Sequence, residues 1–278
     1  YAITGSYFIN DKYATASYEY GAEVTAIATP SETGYTFNGW TGVPETMPAS
    51  DVTATGDYTA NTDTAYKVEH YQQDVSGTGY THFETENLTG TTGDIGTAVA
   101  KDYTGFTENT SHGSRVASGT IAADGSLVLK LYYDRDTFTV TFEEDGGSEV
   151  DDITGVLYDA TIIAPTAPTK TGYTFSAWYK EAELTNAWSF ETDTVTEAAT
   201  LYAKWTVNTN TAYKVEHYLE DLGEDTYTLE GADDMTGTTG AMTEAEANTY
   251  PGFTVVEPIV QEEIAADGST VVKINYNR

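Results

Sequence analysis

Thr64-Ala65-Tyr66-Lys67-Val68-Glu69-His70-Tyr71 returns unchanged as Thr211-Ala212-Tyr213-Lys214-Val215-Glu216-His217-Tyr218, 147 positions further on. An eight-residue identity at that distance means the chain is built from copies, and repetition governs the architecture before any local signal does. Moving outward, Thr89-Gly90-Thr91-Thr92-Gly93 returns at the same offset as Thr236-Gly237-Thr238-Thr239-Gly240. Ile121-Ala122-Ala123-Asp124-Gly125-Ser126 returns as Ile264-Ala265-Ala266-Asp267-Gly268-Ser269, at an offset of 143, so the second copy is four residues shorter after Phe253.

A second pattern interleaves with the first. Gly34-Tyr35-Thr36-Phe37-Asn38-Gly39-Trp40 returns as Gly172-Tyr173-Thr174-Phe175-Ser176-Ala177-Trp178. Two motif sets alternate, which predicts four small modules in an elongated A-B-A-B tandem, with boundaries at residues 1–61, 62–135, 136–208 and 209–278. The joints near Asn61-Thr62-Asp63, Asp134-Arg135-Asp136 and Asn208-Thr209-Asn210 hold no Gly/Ser or Pro tract and are read as stiff through brevity.

The expected fold is mainly β (α+β). Leu127, Leu129, Leu131 and Tyr133 alternate with Val128, Lys130 and Tyr132, the period of a strand with one buried face. Val272, Ile274 and Tyr276 keep the inward phase in the later copy. Asp124-Gly125 and Asp267-Gly268 precede these strands, where a tight turn wants a residue tolerant of positive φ. Tyr35 and Phe37 share a face, as do Tyr173 and Phe175. Trp40 and Trp178 then fall on the opposite face unless a bulge intervenes at Gly39 or Ala177. Short helices are expected at 95–102 and 243–248.

Composition bounds the function. The 44 acidic and 12 basic side chains give a formal charge of −32, which disfavours nucleic acid and anionic lipid as partners. Such a charge also discourages self-association, so a monomer is expected. Cysteine is absent, leaving packed cores as the source of stability, and 22 Tyr, 9 Phe and 4 Trp supply large burial per residue. No apolar run approaches the roughly 18–20 residues of a membrane helix. The chain opens in mid-pattern at Tyr1 without a signal-peptide pattern, and is read as part of something longer.

The third module carries Phe138-Thr139-Val140-Thr141-Phe142, Gly146-Gly147, Gly172 through Tyr179, and Thr200-Leu201-Tyr202-Ala203-Lys204-Trp205. It resembles the Listeria–Bacteroides repeat, the B-repeat type of internalin-like surface proteins. The first module shares Gly34-Tyr35-Thr36-Phe37 but lacks the closing Tyr-Ala-Lys-Trp, and is read as a variant. The B modules resemble the mucin-binding-protein (MucBP) type of repeat. They do so through Val68-Glu69-His70-Tyr71, Thr89 to Gly93, Tyr103-Thr104-Gly105-Phe106, Ala123-Asp124-Gly125 and the strand ending at Tyr133. Both resemblances imply a β-grasp-like fold in an extracellular, cell-wall attached protein of Gram-positive-type bacteria. Neither supplies catalytic residues.

The sequence carries no pattern of catalytic residues, and no enzyme is expected. Glu69 and His70 point to opposite faces of a strand, as do Glu216 and His217, so neither pair is an acid–base couple. Nucleophile elbows, phosphate loops and His-Glu-x-x-His are missing. Calcium is weighed at Glu143-Glu144-Asp145, Glu149 with Asp151-Asp152, Glu220-Asp221 with Glu224-Asp225, and Asp233-Asp234. These clusters do not repeat between copies, so no metal and no cofactor is expected, with calcium as the minor alternative. An isopeptide bond at Lys67, Lys214, Lys130 or Lys273 is set against an ordinary exposed strand face. The expected role is a stalk that presents an adhesive domain. Its rival is an adhesin whose modules hold host glycan, mucin or another extracellular protein through Tyr71, Tyr218 and Trp188.

Overall fold

The computed structural model describes residues 2–7, 12–25, 27–223 and 225–278. The strands are β1 (Ala2–Tyr7), β2 (Lys12–Ser17), β3 (Tyr35–Thr41), β4 (Val52–Ala60), β5 (Thr64–Gln73), β6 (Tyr80–Gly90), β7 (Ile95–Thr97), β8 (Phe106–Glu108), β9 (Ser118–Thr120) and β10 (Val128–Arg135). They continue with β11 (Thr137–Glu143), β12 (Ile153–Leu157), β13 (Tyr173–Tyr179), β14 (Ala199–Val207), β15 (Thr211–Glu220), β16 (Tyr227–Gly237), β17 (Thr254–Val255) and β18 (Val271–Asn277). Two compact units divide the chain, Tyr1–Asp136 and Thr137–Arg278.

Each unit contains two four-stranded sheets of one shared topology. The orders are β2-β1-β4-β3 and β6-β5-β10-β8 in the first unit, and β12-β11-β14-β13 and β16-β15-β18-β17 in the second. In every sheet the first strand runs parallel to the last at the centre, while the other neighbours pair antiparallel. The A and B motifs are therefore two sequence solutions to one chain path.

Alternation sets which face is buried. Tyr66, Val68 and His70 on β5 meet Leu129, Leu131 and Tyr133 on β10 to form one core, with Ile121 from the loop. Tyr213, Val215, Val272, Ile274 and Tyr276 repeat it. The third sheet packs Val140, Phe142, Trp178 and Leu201 around Val156 and Val195. Trp178 reaches that core because a bulge between Phe175 and Ala177 shifts the register, and the same irregularity lies between Phe37 and Gly39. The bulges thus centre on Ser176 and Asn38, one residue earlier than expected. The variant first module closes with Tyr58 opposite Phe37, where the third places Trp205 opposite Phe175.

The expected helices are corrected. Ile95–Thr97 is a strand paired with Ser118–Thr120, and no residue of 243–248 is helical. A run of six to eight residues with Gly96 and β-branched Thr97 and Val99 cannot offset helix nucleation. Neighbouring backbone offers partners instead, as in the Ala98 N–H to the Ala117 carbonyl (2.8 Å). In the later copy the Gln261 side chain does this work, accepting from Ala245 N–H (2.8 Å) and donating to the Ala245 carbonyl (2.9 Å). Among the described residues no helix is long and apolar enough to cross a membrane.

Within each unit the A and B sheets join at one asparagine. The Asn61 N–H donates to Gly34 O and its carbonyl accepts from Thr92 N–H, both at 2.9 Å, while Thr36 Oγ1 donates to Asn61 Oδ1 at 2.7 Å. Asn208 repeats all three bonds with Gly172, Thr239 and Thr174 at the same distances.

Candidate functional sites

Tyr71 lies on the outer face of β5, beside Tyr132 on β10 and His82 on β6, because the registers align these three positions. Tyr71 and Tyr132 stack at 5.0 Å, and His112 stacks on the other side of Tyr132 at 3.8 Å. Tyr80 closes the group edge-on to both Tyr132 (5.3 Å) and His112 (4.6 Å). The Tyr71 hydroxyl donates to Glu69 (2.6 Å), and that bond to an anion pushes its pKa up to about 12. Tyr80 donates to Asp134, and burial raises its pKa as well. Tyr71 is therefore half-buried in a self-stacked aromatic ladder. Reading the sequence missed Tyr132, His112 and Tyr80; the outward phase of Tyr132 beside Lys130 was the available signal.

Tyr218 keeps only part of this arrangement. Its hydroxyl donates to Glu216 (2.7 Å), which raises its pKa, and Lys273 lies 5.4 Å above the ring. Asn275 pairs beside it where Tyr132 stands in the earlier copy, and Leu229 replaces His82. The ladder thus belongs to the first B module.

The inner faces carry a polar network in both copies. His70 is fully buried, with Nδ1 3.0 Å from the Tyr133 hydroxyl and Nε2 3.4 Å from Glu86. His217 repeats this with Tyr276 (2.8 Å) and Asp233 (3.1 Å). His70, Glu84 and Glu86 could hold a metal ion by position, yet Lys101 already pairs with both carboxylates, at 2.6 Å from Glu86. That ammonium, seconded by Tyr103 on Glu84 and His70 on Glu86, holds the two carboxyls below their ordinary range.

Trp188 packs half-buried against the third module's core, and its backbone N–H donates to the Trp178 carbonyl (2.8 Å). Its indole N–H is buried without a hydrogen-bond partner among the described residues, and Lys180 lies 5.6 Å above the ring. The ring borders a cavity of about 600 Å³ whose rim carries Lys180, Glu181, Glu183, Glu197 and Tyr202.

Several of the acidic residues weighed for calcium have other partners. Asp145 pairs with Lys170 (3.3 Å), and Glu144 accepts from Val150 N–H (2.7 Å). Glu220 accepts from Arg278 N–H (2.7 Å), and Asp221 from Thr226 and Thr228, whose hydroxyls lower its pKa. Asp234 pairs with Lys214 (3.1 Å), and Glu224 lies outside the described residues. Lys67 and Lys214 are exposed; Lys130 lies 3.7 Å from Glu69 on the outer face.

Two segments of the chain, residues 4–67 and 138–204, match the Listeria-Bacteroides repeat domain. These segments hold most of the first and third sheets, so the match covers the variant first module as well as the third. Internalin H of Listeria monocytogenes is 38% identical over 96 residues, which is 34% of this chain and 16% of that protein. Two proteins of Evansella cellulosilytica, provisionally named a Gly-rich membrane protein and a membrane protein, are 40% and 41% identical over 92 and 83 residues. They share 33% and 30% of this chain, which spans only 10% and 12% of their own lengths.

Proposed function

We propose that this chain is a non-catalytic repeat region of an extracellular, cell-wall attached bacterial protein, serving as a spacer that presents an adhesive domain. The observation that carries this reading is the asparagine joint. The same three hydrogen bonds at Asn61 and Asn208 lock an A sheet to the following B sheet in each unit. A spacer needs fixed module-to-module geometry more than it needs a pocket. The internalin name of one relative and the membrane-protein names of two others support a surface location. On this reading the modules are 1–61, 62–135, 136–208 and 209–278, the B modules are MucBP-like, and the parallel central pair in each sheet is the β-grasp-like feature.

The alternative is adhesion by the modules themselves. It is favoured by Trp188, whose indole N–H, unpartnered among the described residues, and adjacent cavity offer a seat for a sugar. Binding of the chain to arrayed mucins and host glycans separates the two. The spacer reading expects silence. A specific signal lost in Trp188→Ala, or in Tyr71→Ala/Tyr218→Ala, would replace it with the adhesin reading.

A further inference from the structure

Internal repetition supplies its own comparison structure. In the first B module, Lys101 N–H donates to the Tyr133 hydroxyl (3.0 Å), and its ammonium sits on Glu84 and Glu86 beside the core. In the second, Asn248 N–H donates to the Tyr276 hydroxyl (2.8 Å), so Asn248 stands where Lys101 stands. The registers place Asp233 at the position of Glu86 and Gly231 at that of Glu84. One of the two carboxylates is kept; the other and the ammonium are gone.

Around the vacated place lies a cavity of about 440 Å³. Its floor is Val215 and Met235, and its rim carries Asp233, Glu244 and Glu246 beside Asn248. The earlier copy has Thr97 and Val99 at the positions of Glu244 and Glu246. So the second copy has lost the ammonium and the Glu84 carboxylate and gained two exposed carboxylates on the rim of one cavity. Neither Glu244 nor Glu246 is in an ion pair among the described residues. Asp233 accepts from Asn248 (3.0 Å) and approaches His217, and those hydrogen bonds lower its pKa, so it remains an anion facing the cavity. Strand β16 forms the wall and is the edge of its sheet, with Leu229 and Met235 exposed.

We propose that this cavity receives the lysine side chain of an extended segment of another protein, lying alongside β16. The ammonium takes the place that Lys101 fills within the earlier copy, held by Asp233, Glu244 and Glu246. The alkyl stem lies on Val215 and Met235, as long basic side chains do on apolar surface. Backbone pairing with an open strand edge supplies the remaining affinity. The site is independent of the spacer reading, since it concerns one face of one module.

The test uses the 278-residue chain and a short peptide, acetyl-Thr-Val-Lys-Val-Thr-amide, with its Nε-acetyl-lysine form as control. Chemical shifts of the Met235 methyl and the Asn248 side-chain amide report occupancy. The lysine peptide is expected to move both, and the acetylated form to bind about tenfold more weakly or worse. Asn248→Lys supplies the ammonium internally and is expected to abolish binding while the fold is kept. Glu244→Gln/Glu246→Gln, at exposed positions, is expected to weaken it about tenfold. Equal binding of both peptides, or undiminished binding by Asn248→Lys, overturns the proposal. So does a response to calcium chloride alone, or concentration-dependent self-association through this face.

Discussion

Gly34 and Ala123 stand so close that a methyl group on Gly34 would lie 2.8 Å from the Ala123 Cα. The equivalent contact, Gly172 against Ala266, leaves 2.7 Å to the Ala266 methyl. The glycine belongs to the motif of one module type and the alanine to the motif of the other. The two motifs meet in both units. Gly34 also has φ of +77°, so the position demands glycine twice over.

Gly34→Ala should therefore destabilise the first unit by roughly 2–4 kcal/mol, combining left-handed backbone strain with overpacking. Gly21, at φ +72° with open space around it, isolates the first effect, and Gly21→Ala should cost only about 1 kcal/mol. Urea unfolding of both variants gives the comparison. Equal losses would mean the module contact contributes nothing.

His70→Ala should cost roughly 2–4 kcal/mol, because it opens a hole in a sealed core and removes a partner from Tyr133. His217→Ala should behave alike, since Tyr276 takes the same role. A loss below about 1 kcal/mol in either would show that the network is not structural.

Glu84 and Glu86 have lowered pKa values because Lys101 bonds their ionised forms. The folded state thus binds protons less readily than the unfolded state, so this stability is complete above the usual carboxylate value of 4.5 and is lost as pH falls below it. Lys101→Met should flatten the acid limb of a stability-versus-pH curve in this window. An unchanged limb would rule the ion pairs out as its source.

Tyr71 works in the opposite direction. Its folded pKa is raised to about 12, so the associated stability is complete below 10.0 and is lost as pH climbs through the folded value. Tyr71→Ala should also cost about 0.5–1.5 kcal/mol more than Tyr218→Ala, the difference being the Tyr132 stack that Asn275 cannot offer. Identical losses would deny the ladder any energetic weight.

Much of this was legible in the residues. Period-two alternation placed Tyr66, Val68 and His70 on the buried face, and the repeats located both module types. What escaped depended on long-range pairing. The bulge at Asn38 and Ser176 turns Trp40 and Trp178 inward, and no local signal fixes a bulge to one residue. The strand at Ile95–Thr97 exists only because Ser118–Thr120 pairs with it. The aromatic ladder requires β5, β6, β10 and the loop bearing His112 together, so Tyr71 alone looked like an exposed strand residue.

Native-state hydrogen exchange at the Thr92 and Thr239 amides tests the rigid joint most directly. Each donates to an asparagine carbonyl of its joint, Asn61 or Asn208, at 2.9 Å. Protection matching that of Val68 and Val215 in the adjoining cores is the predicted result, because the joint should open only when its unit unfolds. Exchange near the unprotected rate, with β5 and β15 still protected, would mean the sheets hinge freely and would contradict the spacer account.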